Sequence, residues 1–534
     1  MNNIIAADAW HKLLGGLHDP ATRTHSLTLL LIVLLGFCLR FYGFYVGQAY
    51  HYSAMPDEVA AYHMALRLLA GDPTAFYLGQ PAFNSGNLPG PLWTLFWACA
   101  YKLGGNSIDG VIIMMILINS VTIWLVYHFA RYFLNPAYAL VSAFLYATGP
   151  WPIYFSVGTW NPLTLAFLGA LLFLALWRVT QENNSRLIFW VCVLSAAALQ
   201  FHMIGVFYFP SILLVLYLCP TTLNKKWFVA GIVAGLALYI PYLIGDGAQH
   251  WHNTKALLHG DPSHFSTGVL KILTIPPTLL SNHPGTWAGE YIEELTQFGD
   301  TVFLSIYVLL AINLIAFIVA LFTCGSFVAR FITLLFQQWR TPRVMFTASP
   351  VIAFLGVLIL PSLLFYILTG HSYASRYAII IMPLLFILPG LYLTRLSSRT
   401  KNIAFRFYLP LLTVFNLYLM IAYYTYMDKQ FPIASHFMPS FPKLAQLEQD
   451  LENHAGKDAY IKIDTSEFNR VYETYDYITA AAVRVYVLSQ QDYVRHPTPA
   501  TKTVTYLLKY PKDIRHPGHV AFIGNGIALE RRPD

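Results

Sequence analysis

Charged residues are scarce in this 534-residue chain, making up 11% of the sequence against roughly 25% in an ordinary soluble protein. Hydrophobic residues reach 56% and aromatic residues 16%. This composition excludes a soluble enzyme, a nucleic-acid-binding protein and a disordered scaffold. The five cysteines lie in apolar segments without metal-ligand spacing, so we interpret them as small hydrophobic residues of the membrane part. Internal repeats are also lacking, which disfavours a transporter built from inverted repeats.

Long apolar runs recur from Leu27 to Tyr426. Runs of about 18 to 20 residues can cross ~30 Å of hydrocarbon. We therefore predict a polytopic α-helical membrane protein with about 11 transmembrane helices. The predicted spans are 27–45, 110–130, 137–149, 162–178, 187–201, 203–219, 227–245, 302–322, 347–369, 377–394 and 407–426.

The charge pattern changes at Met427. The 107 residues after it hold 13 acidic and 13 basic residues, whereas the first 427 hold 20 Lys/Arg and 13 Asp/Glu. The net charge of +7 thus belongs to the membrane part, where it indicates orientation rather than nucleic-acid binding. We predict a membrane domain at 1–427 and a small soluble periplasmic α/β domain at 428–534. In the latter we expect a helix at 442–454 and strands at 460–464, 504–508, 520–523 and 527–530.

Basic loops predict which side of the membrane each segment faces. Three such loops should be cytoplasmic, at 225–226, 330–343 and 395–406. Counting spans back from these loops, we find Arg131 and Lys12/Arg23 also on the cytoplasmic side only if 91–103 (PLWTLFWACAYKL) does not cross, so we predict that it forms an interfacial helix. Loops 45–109 and 246–301 then face outward, where membrane enzymes place their chemistry.

Two adjacent acids, Asp57 and Glu58, follow Met55 and Pro56 just after the first span. Proline suits the first turn of a helix, and carboxylates favour its positive end. The pair could therefore serve helix stability alone. A carboxylate near the membrane surface can also accept a proton from an attacking hydroxyl, or bind a cation.

Three other segments on the outer side carry candidate residues. The loop 371–377 contains His371, Tyr373 and Arg376. Arg376 could snorkel to the interface, or its planar guanidinium could bind a phosphate. The aromatic loop 148–162 fits either an interfacial belt or a surface that stacks on sugar rings. His202 at an outer turn, and Lys102 in the first loop, are weaker candidates that can equally be structural.

The order of these pieces resembles the GT-C superfamily of membrane glycosyltransferases, in its protein mannosyltransferase-like and aminoarabinose transferase-like branch. It runs from RFYGF through the PDE loop, NLPGPLWTLFWACAYKLGG and HFARYF to ATGPWPIYFSVGTWNP, LQFHMIGVFYFP and SYASRYAIIIMPLL. The resemblance covers roughly residues 25 to 395. It implies an inverting hexosyl- or pentosyl-type transferase that takes a sugar from a polyprenyl-phosphate donor on the non-cytoplasmic face.

The resemblance also implies roles for particular residues. Asp57 would be the catalytic carboxylate with Glu58 as its companion, and Arg376 would hold the donor phosphate. Substrate contacts by His371, Tyr373, His202 and Lys102 are further expectations. We expect no cofactor and no metal, although carboxylates such as Asp57 and Glu58 can hold a divalent cation.

The partners would be the polyprenyl-linked donor, membrane lipids and an acceptor that is lipid A, a surface polysaccharide or a protein. Two other functions stay open, a transporter or flippase of lipid-linked glycans and a glycan polymerase or ligase. Because Asn183-Asn184-Ser185, the one N-x-S/T site, falls in a predicted cytoplasmic loop, we expect a bacterial inner membrane with the active site facing the periplasm.

Overall fold

A computed structural model describes most of the chain. The described residues are 20–46, 56–82, 86–219, 221–258, 269–281, 306–368, 375–430, 441–455, 460–464, 486–487, 503–509, 520–524 and 527–531.

The described residues are mostly helical, and short 3₁₀ turns connect several of the helices. The α-helices are α1 (Pro20–Val46), α2 (Pro56–Leu69), α3 (Thr74–Tyr77), α4 (Leu92–Leu103), α5 (Ile108–Ala130), α6 (Pro136–Thr148), α7 (Pro150–Tyr154), α8 (Leu165–Thr180), α9 (Ile188–Phe201), α10 (Tyr208–Leu218), α11 (Lys225–Ala237), α12 (Ile240–Ala248), α13 (His252–Leu258), α14 (Val269–Ser281), α15 (Ile306–Gln337), α16 (Met345–Ala348), α17 (Pro350–Leu368), α18 (Met382–Leu385), α19 (Ile387–Leu393), α20 (Ser398–Ile403), α21 (Leu409–Gln430) and α22 (Phe441–Ala455). The 3₁₀ segments are Asn161–Thr164, Ser185–Leu187, Met203–Phe207, Pro342–Val344 and Ser375–Ile381.

Several helices have the length and composition of membrane spans, so the chain is an integral membrane protein. Among the described residues four qualify outright: Arg23–Val46, Ile108–Ala130, Asn161–Thr180 and Leu310–Gln337. A fifth candidate is the pair α11 and α12, which bends by 41° at its break. Five shorter apolar helices overlap other predicted spans. The predicted total of about eleven spans stays a prediction.

The segment predicted to be interfacial forms α4, a helix of 12 residues. At a rise of 1.5 Å per residue it is about 18 Å long, too short to span the hydrocarbon. Trp93 and Trp97 of this helix are completely buried among neighbouring apolar residues of the core.

Helix α15 continues through part of the basic stretch that we predicted to be a loop. It runs to Gln337 and therefore includes Arg330. Phe327, Phe331 and Leu334 recur on one face and are all buried. This apolar stripe keeps the segment helical, because it packs against the bundle at the spacing of an α-helix.

The C-terminal segment contains each of the elements that we predicted. Strands β3 (Tyr460–Asp464), β4 (Thr503–Lys509), β5 (Val520–Gly524) and β6 (Ile527–Arg531) follow β1 (Pro81–Ala82) and β2 (Gly86–Asn87) of the first loop. They form a sheet of order β3-β4-β6-β5, in which β3 and β4 are parallel and the other pairs antiparallel. Helix α22 has a buried face of Leu444, Leu447 and Leu451. The domain division at 427/428 itself stays a prediction.

A completely buried arginine joins the first span to the aromatic loop. Arg40 Nε donates to Ser156 Oγ at 2.9 Å, and its Nη1 donates to the carbonyl oxygens of Gly36 at 2.9 Å and Ala147 at 3.1 Å. Its guanidinium also lies 6.0 Å from the centre of the Tyr146 ring. Burying a charge in an apolar bundle is costly unless its donors are satisfied. These contacts therefore fix α1 against the end of α6 and the loop beyond it.

We predict that Arg40→Met lowers the free energy of unfolding in detergent by about 2–4 kcal/mol, because it leaves the Ser156 hydroxyl and buried carbonyls without their donor. The control is Arg23→Met, which removes the same charge from an exposed position of α1. Equal unfolding midpoints for the two variants would contradict the structural role of Arg40.

Candidate active site

The two acids stand in the first turn of α2, as predicted. Pro56 begins the helix, where its missing N–H costs nothing, and the carboxylates face the positive end of the helix. Glu58 is only 6% exposed, whereas Asp57 is partly accessible. The two neighbours therefore occupy different environments, and Asp57 is the one that a substrate can reach.

Aromatic packing holds the middle of α2. Tyr62 is buried, and its ring centre lies 5.6 Å from that of Trp97 and 5.8 Å from that of Tyr101, both on α4. On another side it stacks on Tyr486 of the C-terminal segment at 5.9 Å. Helix α2 is thus fixed between the short helix α4 and part of the C-terminal segment.

The far end of α2 is held by an ion pair. Arg67 contacts Asp72 at 2.6 Å and also donates to Thr74. Partial burial would raise the pKa of Asp72, but hydrogen bonds from Thr74 and the charge of Arg67 lower it overall. Burial lowers the pKa of His63 to about 4, with a smaller contribution from Arg67. At neutral pH His63 is therefore uncharged and Asp72 ionised.

A second segment reaches Asp57 through Trp160. The indole Nε1 of Trp160 lies 3.4 Å from Asp57 Oδ2 and donates to it. The Trp160 ring also meets the edge of His202, with 6.1 Å between ring centres. His202 Nδ1 accepts a hydrogen bond from the Ile204 N–H at 3.1 Å, so Nε2 carries the proton of the neutral ring. These contacts bring Asp57 and His202 into one cluster.

Unsatisfied polar atoms flank Trp160. Thr159 and Asn161 are each only 2% exposed. The Asn161 side-chain Nδ2 donates to the Phe201 carbonyl at 3.0 Å. Within the described part of the chain, however, Asn161 Oδ1 and Thr159 Oγ1 have no hydrogen-bond partner. Such atoms are uncommon in folded proteins and often mark a place for water or a ligand.

Gln200 attaches the loop before α4 to the end of α9. Its Nε2 donates to the Leu238 carbonyl at 2.7 Å, and its Oε1 accepts from the Leu92 N–H at 3.4 Å. Gly90 makes this close approach possible, because a Cβ at that position would lie 2.4 Å from Gln200 atoms and its φ is +140°. The contact fixes the loop before α4 at Gln200, which precedes His202 by two positions in the chain.

A buried carboxylate joins the segment after α12 to the loop before α4. Asp246 is completely buried at the end of α12 and accepts from the N–H groups of Asn253 at 2.8 Å and Thr254 at 2.9 Å. Asn253 Nδ2 in turn donates to the carbonyl of Asn87 in the first loop at 2.9 Å. The second loop is thereby fixed to the loop that leads into α4.

The other predicted residues are placed less completely. His371 and Tyr373 lie outside the described residues. Arg376 lies on the backbone of the 3₁₀ segment Ser375–Ile381, and its side chain is outside the described part. This segment contacts Asn161–Thr164 and Met203–Phe207, which adjoin Trp160 and His202.

Lys102 is exposed in the last turn of α4. Among the described residues it has no hydrogen bond or ion pair with Asp57, Trp160 or His202. The structure therefore does not bring it into the cluster, and its predicted substrate contact stays a prediction.

From the sequence alone we did not predict the contacts of three residues, Trp160, Arg40 and Asp246. Trp160 was inside a loop that we described only as aromatic, and its position between two turn prolines, Pro152 and Pro162, was the available signal. Arg40 is a charge at the end of an apolar span, which by itself predicts a specific contact.

The described residues contain no group of three or more His, Cys, Asp or Glu side chains that could hold a metal ion. Asp57 and Glu58 thus have no third ligand in the described part of the chain. Metal independence stays an expectation.

Comparison with known proteins gives a family match over part of the chain and a similar fold over most of it. Residues 88–244 match the family model described as dolichyl-phosphate-mannose-protein mannosyltransferase. The fold is similar to that of ArnT from Cupriavidus metallidurans in the apo state, with a TM-score of 0.59, 11% identity and coverage of 94% of this chain and 97% of that chain. The same protein bound to undecaprenyl phosphate gives a TM-score of 0.54 at the same identity and coverage. No curated protein sequence matches the chain. The predicted resemblance to GT-C glycosyltransferases is confirmed.

We predict that Gly90→Ala lowers the free energy of unfolding by about 1–3 kcal/mol more than Gly105→Ala does, because its Cβ would clash with buried Gln200. Both glycines have positive φ, but a Cβ at Gly105 meets nothing within 4 Å. Gly105→Ala therefore reports the backbone strain alone. Equal losses in denaturant unfolding would show that the contact with Gln200 does not constrain the loop.

Proposed function

We propose that this chain transfers a sugar from a polyprenyl-phosphate-linked donor to an acceptor on the non-cytoplasmic face of the membrane, with inversion at the anomeric carbon. The family segment at 88–244 and the ArnT-like fold support this proposal. One of the similar ArnT structures is bound to undecaprenyl phosphate, which has the chemistry of the donor's lipid part.

The observation that carries the proposal is the contact between Asp57 and Trp160. It places an accessible carboxylate, an indole and His202 together at one end of an apolar bundle. A carboxylate there can reach a polar acceptor from the aqueous side, while a lipid-linked donor reaches the same point from the membrane. An active site whose substrates are all water-soluble would not need to lie at the end of an apolar bundle.

The reaction requires one proton transfer and one displacement. Asp57 accepts the proton of the acceptor hydroxyl or amine while that group attacks the anomeric carbon. The bond between the anomeric carbon and the phosphate oxygen breaks, and the electron pair leaves with the polyprenyl phosphate. Attack from the face opposite the leaving group inverts the anomeric configuration. The Trp160 N–H orients the Asp57 carboxylate for this role.

Arg376 is the proposed partner of the phosphate. The guanidinium can form two parallel hydrogen bonds with phosphate oxygens and compensate the charge that develops on them. The support is the position of its backbone, because Ser375–Ile381 packs beside Trp160 and His202. The Tyr208 hydroxyl also donates to the Ile380 carbonyl of this segment at 3.2 Å and helps to hold it in place.

The remaining candidates would contact the substrate. We assign His202, His371, Tyr373 and Lys102 to donor or acceptor binding and Glu58 to support of Asp57. Thr159 Oγ1 and Asn161 Oδ1 are the groups that we assign to sugar hydroxyls, since they lack protein partners beside Trp160. Trp160 can stack on the sugar ring.

The acceptor on this proposal is lipid A, a surface polysaccharide or a protein, and the active site faces the periplasm of a bacterial inner membrane. The orientation is supported by the loops 225–226 and 395–406, whose basic residues favour the cytoplasmic side. Comparing the surface glycans of cells with and without the gene by mass spectrometry identifies both the sugar and the acceptor.

We predict that Asp57→Asn lowers kcat by about 100-fold or more, because the amide cannot accept the acceptor's proton. The measurement is sugar transfer by purified protein in detergent, with donor binding and unfolding assayed in parallel. Asp109→Asn is the control, since it removes the same charge from the first turn of α5.

Full activity of Asp57→Asn contradicts the proposal. Donor chemistry separates the rival functions. A monosaccharide on a single phosphate is the expected donor, and an oligosaccharide diphosphate would favour a polymerase or ligase. Transport by reconstituted protein without a glycosylated product would favour a flippase.

We further predict that Thr159→Val lowers kcat/KM about tenfold while leaving stability unchanged or raised. The substitution conserves shape and removes a buried hydroxyl that has no partner, so it costs the folded protein nothing but removes a contact with the sugar. Thr180→Val at the opposite end of the same span, where the hydroxyl bonds the Leu176 carbonyl at 2.8 Å, should leave transfer unchanged. Normal kcat/KM in Thr159→Val would remove this residue from sugar binding.

A further inference from the structure

A shallow, open groove lies on the surface between α15, α17 and α19. Arg330 and Arg395 line it from two different segments, together with the hydroxyl residues Ser326 and Tyr392. Phe327 and Leu388 are among the apolar residues of its wall. The groove therefore combines two guanidinium groups, two hydroxyls and an apolar surface.

The groove is remote from the candidate active site. Phe354, near Ile352 of the groove wall, packs on Trp177 with 5.0 Å between ring centres. Trp177 follows Trp160 by 17 residues along the span 161–180, which corresponds to about 25 Å of helix. The two sites thus lie near opposite ends of the bundle.

Three of the other cations at this end have partners. Arg178 pairs with Glu182 at 3.0 Å, Arg343 lies 5.5 Å from the Tyr217 ring centre, and Lys401 lies 5.8 Å from that of Tyr138. In contrast, no described carboxylate lies within 4.0 Å of Arg330 or Arg395. Two arginines facing one groove without a counter-ion favour an anionic occupant.

The depth of Arg330 indicates where that anion comes from. Helix α15 is apolar from its first residue, Ile306, and Arg330 follows 24 residues later, about 36 Å along the helix. This distance exceeds the ~30 Å of hydrocarbon in a bilayer, so Arg330 lies at the level of lipid head groups when Ile306 lies at the other boundary. Basic pockets between helices at this level can bind phosphate head groups.

We propose that the groove binds the phosphate of an anionic glycerophospholipid, with Arg330 and Arg395 on the phosphate, Ser326 and Tyr392 on its oxygens and an acyl chain against the half-buried Leu391. An inorganic phosphate ion would satisfy the arginines but not use the apolar wall. The site is independent of sugar transfer, and its test does not measure activity.

The test titrates the full chain, purified and delipidated in detergent, with phosphatidylglycerol, phosphatidylcholine or inorganic phosphate and follows thermal unfolding. Phosphatidylglycerol should raise the wild-type Tm in a saturable way, whereas the other two should not. The double variant R330Q/R395Q should need at least about tenfold more phosphatidylglycerol for the same shift. R340Q/R399Q is the matched control, since it removes two exposed arginines outside the groove.

Three results would overturn the proposal: an unchanged response of R330Q/R395Q, an equal loss in R340Q/R399Q, or equal stabilisation by inorganic phosphate. If R330Q/R395Q does not fold, R395Q alone is titrated in the same way, because Arg395 follows the end of α19 and is exposed. Native mass spectrometry supplies a second measurement, in which wild type should retain one more phosphatidylglycerol than R395Q.

Discussion

The buried guanidinium of Arg40 has to be satisfied inside an apolar bundle, and the geometry of the candidate active site depends on how this is achieved. Water is excluded at this position, so the donors must find protein acceptors. They find them at the end of α6 and at Ser156. The same loop continues to Trp160, which donates to Asp57. A desolvated charge in the first span thus determines where the indole beside the proposed catalytic carboxylate lies.

The same principle recurs around the site. Gln200 joins the loop before α4 to the end of α9 and to Leu238. Asp246 holds Asn253, which in turn contacts Asn87 in the loop before α4. Each is completely buried and hydrogen-bonded to backbone groups of another segment. Segments distant in sequence are thereby held in one arrangement, as a reaction that depends on precise orientation requires. The proposed lipid site lies at the other end of the bundle and depends instead on unpaired exposed charge.

The sequence predicted some parts of this arrangement well because their signals are local. Pro56, Asp57 and Glu58 predict the start of a helix, and α2 begins at Pro56. The short length of 91–103 predicted a helix that does not span, and α4 confirms that length. In both cases the residues that determine the element lie within it. The complete burial of Trp93 and Trp97 is not such a local property, because burial depends on neighbours contributed by other segments.

Other parts could not be read from the sequence. Helix α15 includes Arg330 because an apolar stripe packs against distant helices, which outweighs the preference of charge for a loop. Trp160 looked like one aromatic residue among many, since its contact with Asp57 joins residues 103 positions apart.

The sequence by itself determined that the chain is a membrane protein, which segments are apolar and which two acids begin a helix after the first span. These properties follow from composition and from spacing along one segment. Only the tertiary structure decided that Trp160 contacts both Asp57 and His202 and that Arg330 and Arg395 share a groove. The physical reason is that burial and hydrogen bonding in a bundle depend on which helices pack together, and amino-acid spacing within one helix does not specify its neighbours.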